Sequence, residues 1–115
     1  MKIVLSSQGN KKESLVDVRF GRCNYFAIYD IEKQSFDFVE NTGKESNQGA
    51  GIAAAQVVLK LNAEALLTER LGPKAFKVLE ASTMNLFKCH GMSLEDAVDR
   101  FKTNSLPLIE EPYRN

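Results

Sequence analysis

The chain has 115 residues, with 15 basic and 15 acidic side chains and 43% hydrophobic residues. That length suits one domain over 1–115 with a sizeable core. The even charge balance excludes a whole-surface nucleic-acid binder while leaving room for a local basic patch, and no apolar run approaches the roughly 20 residues that span a bilayer.

The start, MKIVLSSQGN, carries one lysine and a very short apolar run, so it reads as a first strand rather than a secretory leader. Lys2–Ser6 forms that strand, and the polar stretch Ser6–Ser14 forms a long loop after it. Tyr25–Asp30 and Ser35–Glu40 are the next strands, and the short Ile31–Gln34 link between them favours an antiparallel hairpin. Asn41–Gly49 is polar and glycine-containing, which marks a loop. Ala50–Leu61 is apolar nearly all round and predicts a deeply packed helix.

Ala65–Thr68 predicts a short buried strand. Gly72-Pro73 then opens a second helix, because proline lacks the N–H that would go unpaired at a first helical position. Ala75, Phe76, Val78 and Leu79 supply its apolar face. Asn85–Cys89 is a fifth strand. Ser93 caps a third helix, with Asp96 placed as in a capping box and Leu94, Ala97, Val98 and Phe101 at helical spacing. The tail from Asn104 carries prolines and is expected to be irregular.

The element order β-β-β-α-β-α-β-α, with right-handed crossovers, sets strands one, three, four and five in one direction and strand two against them. Strand two is apolar or aromatic on both faces, so helices should cover both sides of the sheet. The expected fold is α/β: a mixed five-stranded sheet in a three-layer α/β/α domain. Four segments then converge at one sheet edge: Arg19–Cys23, Asn41–Ile52, Thr68–Pro73 and Lys88–Ser93. Ligands of open α/β sheets bind outside the carboxyl ends of the strands, so that edge is the expected site.

The chemistry available there is specific in kind. Gly49-Ala50-Gly51 at a helix start either lets backbone N–H groups approach an anion or simply permits tight packing. Gly72-Pro73 offers a second helix start, or an ordinary turn. Arg19 and Arg22 bracket Phe20-Gly21 and add permanent positive charge to the lip; a solvated loop is the alternative. Phe20 itself reads as a hydrophobic plug that fixes the loop.

Cys23 and Cys89 are expected to be thiols, and could serve as soft-metal ligands with His90, the single histidine, as a third. Neither belongs to a CxxC pair, so each also reads as a small buried hydrophobe, and His90 also reads as an exposed loop residue. No Gly-x-x-x-x-Gly-Lys phosphate loop and no G-x-S-x-G elbow is present, and strand one lacks the carboxylates of a metal-dependent nuclease.

Several of these residues together carry a resemblance. The start MKIVLSS, the turn Arg19-Phe20-Gly21-Arg22 into Tyr25-Phe26, Glu40-Asn41, Gly49-Ala50-Gly51-Ile52 and Leu71-Gly72-Pro73-Lys74-Ala75-Phe76 occur in fixed order. From Met1 to about Leu108 the chain resembles the dinitrogenase iron–molybdenum cofactor biosynthesis family of nitrogenase accessory and cofactor-carrier proteins. The resemblance implies a ribonuclease-H-like fold and non-enzymatic binding of a metal–sulfur cluster of the iron–molybdenum, iron–sulfur or molybdenum/copper–sulfur kind. The family pattern often places a histidine before Phe-Gly-Arg; this chain has Arg19 there, which would hold an anionic cluster by charge.

The leading expectation is therefore a small cytoplasmic carrier, monomeric or weakly self-associating, that exchanges its cluster with a donor or acceptor protein. Arg19, Phe20, Gly21, Arg22, Asn41, Gly49, Ala50, Gly51, Gly72 and Pro73 form the expected cofactor site, with Cys23, Cys89 and His90 as metal ligands. A module for a metal-free small anion and a regulatory protein-interaction domain are the rival expectations. Neither nucleic acid nor membrane is expected as a partner.

Overall fold

The computed structural model describes residues 1–47 and 49–114. Gln48, inside the expected polar loop, and Asn115, at the end of the expected irregular tail, lie outside the described residues. The strands are β1 (Lys2–Ser7), β2 (Tyr25–Asp30), β3 (Ser35–Glu40), β4 (Ala65–Thr68) and β5 (Asn85–Lys88). The helices are α1 (Ala50–Leu59), α2 (Pro73–Glu80) and α3 (Leu94–Lys102).

One five-stranded sheet runs in the order β3-β2-β1-β4-β5. β2 is antiparallel to both β1 and β3, whereas β4 is parallel to β1 and to β5. Val4 in β1 faces Ile28 of β2 on one side and Leu66 of β4 on the other. Because side chains alternate along a strand, β1 feeds two cores. Val4 joins Phe26, Leu66, Ala54, Val58, Phe76 and Leu79 under α1 and α2. Ile3 and Leu5 join Ala27, Leu67, Leu94, Ala97 and Val98 under α3. The result is the three-layer, ribonuclease-H-like α/β/α arrangement.

Differences from the sequence expectation are local and have physical causes. α1 stops at Leu59 rather than Leu61: Lys60 caps it, and Asn62 takes a positive φ of 54° that a helix cannot continue through. α1 packs on one side only, so Ile52, Ala53 and Val57 are half-buried despite being apolar. The serine cap on α3 forms as expected, with the Asp96 N–H donating to Ser93 Oγ at 3.1 Å, while the return bond from the Asp96 carboxylate that would complete a capping box is not seen among the described residues. The tail holds no helix or named strand among the described residues, yet it is not free: Lys88 N–H donates to the Pro107 carbonyl, and Ile109 N–H to the Leu86 carbonyl, both at 2.8 Å. It thereby covers the β5 edge that would otherwise expose unpaired backbone.

Candidate functional site

The loop from Asp17 to Asn24 reaches the carboxyl edge of the sheet and is fixed there by three devices. Phe20 is fully buried, with its ring centroid 5.4 Å from that of Phe26. Burying such a side chain contributes about 1.5–3 kcal/mol, enough to pin a short loop. The Asn41 amide donates to the carbonyls of Gly21 at 3.2 Å and Cys23 at 3.0 Å, and the Gly43 N–H donates to Asn41 Oδ1. Asn41 is 2% exposed, so it acts as a latch between two loops. The Arg70 N–H donates to the Val18 carbonyl at 2.8 Å and ties the post-β4 segment to the same loop.

Those constraints press Gly21 onto the first turn of α1. A Cβ on Gly21 would stand 2.9 Å from the Gly51 nitrogen and 3.2 Å from the Ala50 carbonyl carbon. Gly49, the N-cap of α1, has φ of 139°, a conformation that favours glycine. Gly51 in turn faces Ala75 of α2. The outcome is a cavity of about 320 Å³ lined by Phe20, Gly21, Gly49, Gly51, Ile52, Arg70, Gly72, Pro73, Lys74 and Ala75.

The electrostatics of this cavity follow from its two helix starts. The first N–H groups of a helix lack intrahelical partners and usually take a capping side chain. Among the described residues, neither α1 nor α2 has a side-chain cap, each N-cap being a glycine, and neither has an acidic residue in its first turn. α3, which lies elsewhere, has both a serine cap and two acidic residues. The starts of both helices thus border the cavity, α1 with its first N–H groups and α2 with those of Lys74 and Ala75, since Pro73 has none. Arg70, Lys74 and the apolar Phe20, Ile52, Pro73 and Ala75 are among its lining residues.

The sequence-expected residues divide. Phe20, Gly21, Gly49, Gly51, Gly72 and Pro73 come together around the cavity. Ala50 is buried beneath Gly21. Arg19 does not line it: Nε and Nη2 each lie 3.3 Å from the carboxylate of Asp17, which is 2% exposed, and that pairing raises the Arg19 pKa. Arg22 Nη1 donates to the Lys44 carbonyl at 2.6 Å, bracing the neighbouring loop. The cation that sequence reading missed is Arg70.

The expected thiol–histidine ligand set does not assemble. Cys23 is fully buried in the α1/α2 core, and its thiol donates to the Phe20 carbonyl at 3.3 Å. Cys89 is buried in the α3 core on the opposite face of the sheet. Burial pushes both thiols up to about 12, the reverse of what a thiolate ligand needs. His90 is exposed, with Nδ1 2.8 Å from Glu69 Oε2. Among the described residues no group of three or more His, Cys, Asp or Glu could hold a metal ion.

Comparison with known proteins fits this fold. The apo form of the orange protein from Desulfovibrio gigas superposes with a TM-score of 0.93 at 35% identity, covering 98% of this chain and 96% of that one. An NMR structure of a Thermotoga protein described as belonging to the DUF35 family gives 0.85 at 29% identity, covering 99% and 97%. An uncharacterized protein of Methanocaldococcus jannaschii is 26% identical over 113 residues, 96% of this chain and 92% of that protein. Residues 1–104 match the family described as dinitrogenase iron-molybdenum cofactor, and the chain belongs to that family.

Proposed function

We propose that this protein is a non-enzymatic carrier of an anionic metal–sulfur cluster, held in the cavity between the starts of α1 and α2. The observation that carries this reading is the pair of helix N-termini, each with a glycine N-cap and no side-chain cap among the described residues, that border one small, largely apolar space. Orphan N–H donors, Arg70 and Lys74 favour negative charge. The apolar wall discriminates between anions. A hard, strongly hydrated anion such as phosphate loses much solvation against Phe20, Ile52 and Pro73. A thiometallate spreads its charge over polarisable sulfurs, which accept weak hydrogen bonds and tolerate apolar neighbours.

Family membership supports a cargo related to iron–molybdenum cofactor precursors. The name and apo state of the Desulfovibrio gigas relative support a coloured, removable ligand. On this reading the protein holds its cargo through backbone and charge rather than through Cys23, Cys89 or His90, which suits handing it between donor and acceptor proteins. No helix among the described residues is long and apolar enough to cross a membrane, and the proposed setting is the cytoplasm.

The test is anaerobic incubation with tetrathiomolybdate, with and without copper, and separately with iron and sulfide, followed by gel filtration, visible absorption and metal analysis. Stoichiometric retained colour that excess phosphate does not displace supports the cluster reading. Phosphate displacing it with equal strength would assign the cavity to small anions in general. No retained metal under any condition would refute the carrier role.

A further inference from the structure

The chain beyond α3 passes around the β5 edge of the sheet. Leu106 packs into the core under α3, and Ile109 into the core under α1 and α2. Phe87 and Leu108 form an antiparallel bridge between them. The segment then runs to the candidate site, where the Tyr113 N–H donates to the Leu71 carbonyl at 2.6 Å. Leu71 is fully buried, so this attachment is to a rigid point. The Tyr113 ring lies with its centroid 5.1 Å from the Arg70 guanidinium carbon.

Arg70 differs from the other arginines near the cavity. Arg19 is bound to the Asp17 carboxylate, whereas Arg70 has no carboxylate partner among the described residues. A ring beneath a guanidinium holds its face and leaves the N–H edge available, without neutralising the charge. Arg70 also lines the cavity.

We infer that Tyr113 is a positioning residue for the site: the terminal strap holds Arg70 by its face at the cavity rim and directs its N–H edge to a multiply charged anion. The inference rests on the anion-cavity reading above and adds the residue that sets its strength. It also gives the tail a function that backbone pairing alone does not explain, since the strap continues past β5 to Leu71.

The test is an anaerobic equilibrium titration of the full chain with tetrathiomolybdate at low and high salt. It compares the unmodified protein with Tyr113→Phe, Tyr113→Ala, Arg70→Gln and the Arg70→Gln/Tyr113→Ala pair. Tyr113→Phe keeps the ring and should bind within about twofold of the parent. Tyr113→Ala should bind roughly three- to fivefold more weakly at low salt. Arg70→Gln should lose about tenfold and show a shallower salt dependence. In the Arg70→Gln background, Tyr113→Ala should have no further effect, which a merely structural role for Tyr113 would not produce. Should alanine loosen the tail, Tyr113→Leu keeps the bulk while removing the ring and serves in its place. Unchanged affinity in Tyr113→Ala, or an equal loss in both backgrounds, overturns the inference alone. No uptake by the parent protein overturns the cavity reading and this inference with it.

Discussion

Adding one methyl at Gly21 is the sharpest perturbation of the contact that forms the cavity. The new Cβ would meet the Gly51 nitrogen at 2.9 Å, the Gly51 Cα at 3.0 Å and the Ala50 carbonyl carbon at 3.2 Å. All are backbone atoms of the first turn of α1, so no side chain can rotate away. Ordinary carbon contacts lie at about 3.5–4.0 Å, so the loop and helix must part by several tenths of an ångström. Overpacking of this kind costs about 1–3 kcal/mol. Replacing glycine recovers about 0.4–1 kcal/mol by restricting the unfolded chain. The net loss is about 1–2 kcal/mol. With unfolding entropy near 2.1 cal/mol/K per residue, a chain of this length loses about 4–8 °C in melting temperature. Gly72→Ala is the matched control: nothing lies within 4 Å of its Cβ, and its φ of −63° suits alanine. It should melt close to the parent, the poorer N-capping by alanine offsetting the gain from a stiffer unfolded chain. Calorimetry on both variants decides the matter. Equal melting temperatures for Gly21→Ala and Gly72→Ala would refute the argument that loop and helix are in backbone contact.

Other expected outcomes test the site and the thiols. Gly72→Asp supplies α2 with the capping carboxylate it lacks; it should fold as stably as the parent, to within about 1 kcal/mol, and lose thiomolybdate uptake, because the cap occupies the donors and repels the anion. Retained uptake in a titration would count against those donors. Cys23→Ala with Cys89→Ala should keep full uptake; the thiols lie in separate cores, so their stability costs should add. Loss of cargo from a folded double variant, read by metal analysis, would restore thiolate ligation. The parent should lose stability relative to that variant as pH rises. Below the ordinary thiol value of 9.0 both states are protonated, whereas between 9.0 and about 12 the unfolded chain ionises first, so the folded state loses ground. A pH-independent difference in melting temperature across that window would contradict the burial.

Much of the fold was legible because hydrophobic alternation and turn residues agree with one another. KIVLSS, YFAIYD and SFDFVE each read as strands on local grounds, and the strand directions then brought the right loops to one edge. The glycine half of the candidate site was legible for the same reason: helix starts follow strand ends. Arg70 was not singled out, although the Thr68–Pro73 segment that carries it was placed at that edge, because no local pattern distinguishes one charged residue of a short turn; its hydrogen bond to Val18 fixes it beside the cavity. Arg19 was misleading because its partner, Asp17, is buried beside it. For Cys89 a signal existed: it lies two residues after Phe87, whose side chain faces the α3 core, and alternation carries Cys89 to that face. The tail was illegible because its order comes from backbone hydrogen bonds to β5 and Leu71 together with single anchors, Leu106 in one core and Ile109 in the other, which set up no helical or strand periodicity.

The central claim is that backbone donors at two helix starts hold the cargo. The most direct measurement is an amide proton–nitrogen NMR titration of the full chain with tetrathiomolybdate under anaerobic conditions. The account predicts saturable shifts concentrated at Gly49, Gly51, Ile52, Lys74 and Ala75, the amides that border the cavity. Shifts centred instead on Cys89 and His90 would contradict it.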